Sequence, residues 1–276
     1  AYVNYKVFKM KDNNDVFLRW GHITKLEYPL NEDSVSNAAN RFKYVYDKYL
    51  AKKDTKVYFS IVPDKNYYID MYDYLTIDYN KLISQARSET DFMKYIDITK
   101  LLEFTRENKI SFYYSLIYLC TQSINEIDEF LLETEDNKIF KIDRRVPCFT
   151  DLKKGATSFH MVSLPCDGNI IEFATNARKE SENNPLSVHS LGGLRESQIV
   201  FSCIPWADIT MCSNERDYTN PKLKDDTAPI LVWGKYTEQN GKYIINMTLD
   251  VNHRFIDGYF VGQFVQKLEE KIAELK

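Results

Sequence analysis

Asn252-His253-Arg254-Phe255-Ile256-Asp257-Gly258 stands between a run of β-forming residues, Tyr243 to Asn252, and a closing amphipathic segment whose apolar positions are Phe260, Val261, Phe264, Val265, Leu268, Ile272 and Leu275. The spacing of three and four in that last segment predicts a helix with one buried stripe. A histidine and an aspartate four apart, followed by glycine, can close a turn in which backbone and carboxylate fix the imidazole. A fixed imidazole holds one tautomer, which a general base acting near neutral pH requires. Gly258 permits the tight turn, and Asp257 suits a helix N-terminus. The plainer reading is a structural histidine at a strand end, because His-x-x-x-Asp-Gly alone is short. The other histidines, His22, His160 and His189, have no comparable setting and read as structural or exposed.

Outward from this turn the pattern is mixed α/β. Gln198 to Ile204 and Pro229 to Tyr236 read as strands, and Phe173 to Asn184 as a polar helix stopped by Pro185. Phe130 to Glu135, Lys138 to Ile142, Val146 to Leu152 and Ser158 to Leu164 read as a meander of strands, with turns at Asp136-Asn137 and Lys153-Lys154-Gly155. A very apolar helix is expected over Ser111 to Ile124. A shorter one, capped by Asp97 or Thr99 and reaching Asn108, turns Leu101, Leu102 and Phe104 inward. Before residue 97 the texture differs. There is a polar helix from Asp33 to Leu50, a buried strand over Val57 to Val62 ended by Pro63-Asp64, one or two helices over Asp78 to Ala86 and Ser88 to Tyr95, and a short strand Tyr95 to Ile98.

Composition narrows the function classes. The 276 residues are 44% hydrophobic and 28% charged, a mix that buries a core and stays soluble. A net charge of −4 gives no basic footprint for nucleic acid. The longest apolar-aromatic run, Phe112 to Cys120, is far short of the roughly 20 residues that span a bilayer, and Ala1-Tyr2-Val3-Asn4 shows no signal-peptide pattern. The five cysteines are scattered without a CxxC pair, so reduced, buried thiols are expected, with no metal site and a cytoplasmic location.

Three stretches now line up in order with the turn: Ser202-Cys203-Ile204-Pro205-Trp206, then Val232-Trp233-Gly234-Lys235-Tyr236, then His253 to Gly262. With the upstream run Leu101 to Tyr114, they resemble the chloramphenicol acetyltransferases over residues 97 to 276. The resemblance implies a two-layer sandwich, a mixed sheet covered by helices. It also implies transfer of an acetyl group from acetyl-CoA to a hydroxyl of a small acceptor in a ternary complex, and a homotrimer with sites between subunits. It makes His253 the base, Asp257 the orienting carboxylate and Ser202 the oxyanion donor. Tyr113, Trp206, Lys235 and Tyr236 fall around the coenzyme A channel. The chain also departs from the family. Asn252 replaces the first of two adjacent histidines, Val232 replaces a threonine, Ser111 replaces a lysine, and the arginine that pairs with the aspartate has no counterpart. These departures motivate the alternative of a degenerate member that binds coenzyme A or a small ligand without turnover. Residues 1 to 96, through Tyr28-Pro29-Leu30-Asn31-Glu32, Tyr46 to Leu50 and Ser60 to Tyr67, resemble a fragment of the DHHW family of SGNH-like domains, without that family's naming signature. The expected organisation is therefore an α/β fragment, 1–96, preceding an acetyltransferase-like domain, 97–276. A third reading is a non-functional fusion joined at Tyr95 to Thr99.

Overall fold

The computed structural model describes residues 16–19, 22–25, 27–53, 55, 57–59, 61, 66, 76–93, 96–135, 138–152, 155–183, 196–209, 212, 226–239 and 241–276. The chain divides into two compact units, residues 1–95 and 96–276.

In the first unit, strands β1 (Val16–Arg19) and β2 (His22–Lys25) form an antiparallel hairpin. Helix α1 (Glu32–Val45) opens on Asn31, whose Oδ1 accepts from the Ser34 N–H at 2.9 Å, and widens into a π-turn over Tyr46–Leu50. Helix α2 (Tyr79–Ser88) lies against α1, with Gln85 Nε2 donating to Glu32 O at 2.9 Å and to Ser36 Oγ at 3.0 Å. The helix expected over Ser88 to Tyr95 is not formed, since residues 89–93 are turns and bends. There Thr90, only 2% exposed, folds its hydroxyl back onto Ala86 O at 2.7 Å, a side-chain bond that competes with helix continuation. Of the strand expected over Val57 to Val62, Tyr58 takes a β-bridge; Ser60, Val62, Pro63, Asp64 and Lys65 lie outside the described residues.

The second unit is built on a five-stranded mixed sheet. Its strands are β5 (Arg144–Asp151), β6 (His160–Ser163), β7 (Glu196–Ile204), β8 (Ile230–Gly234) and β11 (Met247–Asp250), in the order β11-β8-β7-β5-β6. The inner pairs β5–β7 and β7–β8 are parallel; the outer pairs β5–β6 and β8–β11 are antiparallel. Helices α3 (Thr99–Glu107), α4 (Phe112–Asn125), α5 (Ile170–Asn183) and α6 (Gly258–Glu274) make the second layer, with α4 packed against the other three and β5. The strand period of two explains this cover. Ile199 and Phe201 on β7, Leu231 on β8 and Phe149 on β5 are fully buried among Leu116, Ile117, Phe173, Phe264 and Leu268. Val200 and Ser202 alternate with them onto the opposite face and are half-buried. A mixed sheet covered by helices is the architecture expected from the sequence.

Two expectations needed correction. The meander splits, because β3 (Leu132–Glu135) and β4 (Lys138–Lys141) make a hairpin of their own outside the main sheet. Buried Arg145 accounts for that separate position. It donates to Phe130 O at 2.9 Å and to Leu132 O at 3.2 Å and pairs with Glu133, so the hairpin hangs on a side chain rather than on the sheet edge. The single strand expected from Tyr243 to Asn252 is two, β10 (Lys242–Ile244), paired with β9 (Thr237–Gln239), and β11. Asn246 marks the break, its Nδ2 donating to Ile209 O at 3.1 Å. Among the described residues no helix is long and apolar enough to cross a membrane, and the five cysteines are unbridged.

Candidate active site

Ser202 sits two residues before the end of β7, on the face without helices. The Thr150 hydroxyl donates to Ser202 Oγ at 3.3 Å, which leaves the Ser202 proton available for another acceptor. Strand β7 ends at Ile204, and Ala207 N–H bonding back to Ile204 O at 3.1 Å closes a turn that pushes Trp206 out to 74% exposure. That turn docks on the end of β8. Lys235 N–H donates to Ala207 O at 2.8 Å, and a Cβ on Gly234 would meet the same oxygen at 2.6 Å. A glycine is therefore required between Trp233 and Lys235 to bring Trp206 beside Lys235 and Tyr236.

Tyr113 enters from the first turn of α4, where Ser111 caps the helix. Its hydroxyl donates to Thr150 O at 2.7 Å, and burial holds it far above the ordinary tyrosine range, so it remains a donor. Its ring lies 5.6 Å from Trp233, while Phe112 meets Tyr236 edge-on at 5.7 Å. These side chains line one cleft of about 1210 Å³ that contains Tyr113, Ser202, Trp206, Lys235 and Tyr236 together. Five of the seven residues singled out in the sequence thus share a cavity. Cys203 lines it as well, but burial pushes its thiol up to about 12, so it is a thiol rather than a nucleophile at neutral pH.

His253 and Asp257 do not line this cleft. His253 is exposed in the turn after β11, and β11 lies two strand spacings, roughly 10 Å, from β7. The antiparallel register sets Asp250 beside Ile230, so the chain leaves β11 at the end of β8 opposite Gly234 and Lys235. The histidine turn is held mainly by Asn252. Its Nδ2 donates to Asp226 O at 3.2 Å, its Oδ1 accepts from Arg254 N–H at 3.0 Å, and its carbonyl accepts from Phe255 and Ile256, both at 3.1 Å. Asp257 caps α6, its Oδ1 accepting from Tyr259 N–H at 2.9 Å and Phe260 N–H at 3.4 Å.

Sequence reasoning missed Thr150 and a cluster on the wall made by β5 and α5. Asp151 Oδ2 accepts from the hydroxyls of Tyr114 and Ser181, and Ser181 Oγ lies 2.9 Å from His160 Nε2. No local spacing announces these contacts, because they join residues of α4, β5, β6 and α5. Among the described residues no group of three histidines, cysteines or carboxylates is placed to hold a metal ion.

The chain matches the family model described as chloramphenicol acetyltransferase over residues 65–269. It is 26% identical over 178 residues to chloramphenicol acetyltransferase 3 of Escherichia coli, covering 63% of this chain and 81% of that one. To the chloramphenicol acetyltransferase of Bacillus pumilus it is 28% identical over 178 residues, covering 63% and 78%. A solved chloramphenicol acetyltransferase superposes with a TM-score of 0.55 at 19% identity, covering 66% of this chain and 86% of that one, a likeness in fold. The family match starts at residue 65, within the stretch whose motifs resembled the DHHW family.

Proposed function

Because this chain belongs to the chloramphenicol acetyltransferase family, we propose that it moves an acetyl group from acetyl-CoA to a hydroxyl of a small acceptor. The observation that carries this reading is the single cleft in which Ser202, Tyr113, Trp206, Lys235 and Tyr236 converge. The cleft suits a long acyl thioester. Exposed Trp206 and half-buried Tyr236 offer flat faces, and Lys235 offers a cation for phosphate at the mouth.

In the proposed reaction His253 takes the proton of the acceptor hydroxyl as its oxygen attacks the thioester carbonyl carbon. The carbonyl electrons move onto oxygen, which the Ser202 hydroxyl stabilises, a donor already freed by Thr150. When the carbon–sulfur bond breaks, the proton held by His253 goes to the departing thiolate. His253 is exposed and does not line the cleft within one copy, which supports a site completed by a second copy, in a homotrimer.

Release of free coenzyme A from acetyl-CoA, measured against a panel of small alcohols that includes chloramphenicol, tests the reading. Acceptor-dependent release that disappears in His253→Ala is the expected outcome. A folded wild type that binds coenzyme A yet releases no more thiol than His253→Ala would leave only the binding-without-turnover alternative, which the exposed position of His253 outside the cleft also motivates.

A further inference from the structure

Helix α1 has two apolar faces, and its own unit uses one of them. On the used side Ala39 is buried and the Tyr46 ring lies 5.1 Å from that of Phe92. Ala38, Phe42, Val45 and Tyr49 follow one another at steps of four, three and four, the period of a helix–helix seam. Residues so spaced fall on one side of a helix, the pattern of a buried stripe. Here all four are exposed, Phe42 by 59%, Val45 by 46% and Tyr49 by 51%. Single apolar side chains on a surface are ordinary, but an aligned row of them marks a contact surface.

The charges beside this row have one sign. Arg41 and Lys48 each stand one position before an aromatic of the row, Phe42 and Tyr49, in the place that flanks a seam. Lys48 is fixed there: its Nζ donates to the Tyr44 hydroxyl at 2.7 Å and lies 5.1 Å from the ring centres of both Tyr44 and Tyr49. The acids of α1 and its π-turn are engaged elsewhere. Glu32 pairs with Lys81 of α2, and Asp47 pairs with Lys43 at 3.5 Å. Asp33 stands in the first turn, where a carboxylate meets the positive end of the helix. None of these acids is left to balance Arg41 and Lys48 on the flank of the row.

We propose that this face of α1 docks an amphipathic helix of another protein, one with an apolar row of its own and carboxylates along the edge that meets Arg41 and Lys48. A second copy of this chain fits less well, because its α1 would bring the same two cations and no free acid to the seam. An anionic membrane calls for a broad face of large apolar side chains, and this row is narrow and opens on Ala38. At roughly 1.5 Å per residue the row is about 17 Å long, so the contact is short and reversible. The site belongs to the first unit and stands apart from the acetyltransferase reading.

The test is fluorescence anisotropy with the full chain and two labelled synthetic helices of one pattern. Both have leucines at heptad spacing; the flanking positions are glutamate in one and lysine in the other. At low salt the glutamate helix should bind about 10-fold or more tightly than the lysine helix, a preference that fades in high salt. Phe42→Ala should weaken the glutamate helix about 10-fold or more. Arg41→Glu combined with Lys48→Glu should reverse the preference toward the lysine helix, a gain of binding that an unfolded variant cannot give. Equal binding of the two helices, no binding of the glutamate helix, or binding that neither change alters overturns the proposal. Retention of wild type but not Phe42→Ala on phosphatidylserine vesicles overturns it in favour of a membrane. Self-association in sedimentation that Phe42→Ala abolishes overturns it in favour of a second copy.

Discussion

At the scale of single residues, the hydroxyl of Ser202 and the imidazole of His253 carry different burdens, and their substitutions should differ in kind. In the proposed reaction Ser202→Ala removes one donor to the developing oxyanion, and kcat should then fall about 10²- to 10³-fold with little change in the KM for acetyl-CoA. Thr150→Val, which leaves Ser202 in place but removes the hydroxyl that donates to it, should cost less, with Ser202 turning toward another partner. Steady-state kinetics on the two variants check the order, and a larger loss in Thr150→Val than in Ser202→Ala would contradict it. Ser202, Trp206, Lys235 and Tyr236 were legible in the sequence because each lies in a short run whose order along the chain is itself a signal. Asp151, Ser181 and His160 were not. They lie on β5, α5 and β6 and meet only when those elements pack, and His160 read as structural because its neighbours in sequence give it no partner.

At the scale of elements, caps and side-chain hubs set boundaries that periodicity leaves loose. The apolar stripe of α6 was readable because burial of one face follows directly from spacing, while α4, read as very apolar, is buried nearly all round. The ends of β10 and β11 were not, since Asn246 breaks the run through contacts to residues far away in sequence. Two predictions belong here. Arg145, 1% exposed, joins Phe130, Leu132 and Glu133 to β5 and reaches Thr227 O at 3.5 Å. Arg145→Met strips Glu133 of its bonded cation and should destabilise the unit by about 3–5 kcal/mol, read by chemical denaturation. The joint between α4 and α6 gives a pH signature. Burial alone would raise the Glu126 carboxyl, but hydrogen bonds from Lys271 and Lys267, the latter at 2.9 Å, outweigh it and hold the group below its usual range. A depressed carboxylate contributes stability that is present above its unfolded-state value of about 4.3 and is lost as pH falls through the folded-state value. The melting temperature of wild type should therefore exceed that of Glu126→Gln at neutral pH, with the gap closing below about pH 4 and shrinking in high salt. A gap that widens on acidification would reverse the sign argued here.

At the scale of the whole molecule, the second unit has the layers and mixed sheet that its motifs implied, and among the described residues no histidine lines the cleft. If the proposed site is shared between copies, His253→Ala and Ser202→Ala proteins, each nearly inactive, should regain part of the lost turnover when mixed under conditions that exchange subunits. Mixing without any gain, while native mass spectrometry shows mixed assemblies, would place both residues in one copy's site. The cleft itself has a division with a longer reach. Asp151, Phe159 and Ser181 come from one contiguous stretch of chain, while Ser202, Trp206, Lys235 and Tyr236 come from a later one. Tyr113 comes from an earlier stretch still, so three passages of the gene meet in this one cleft. Any crossover between them parts residues that must meet, and the cleft is inherited intact only when the three travel together.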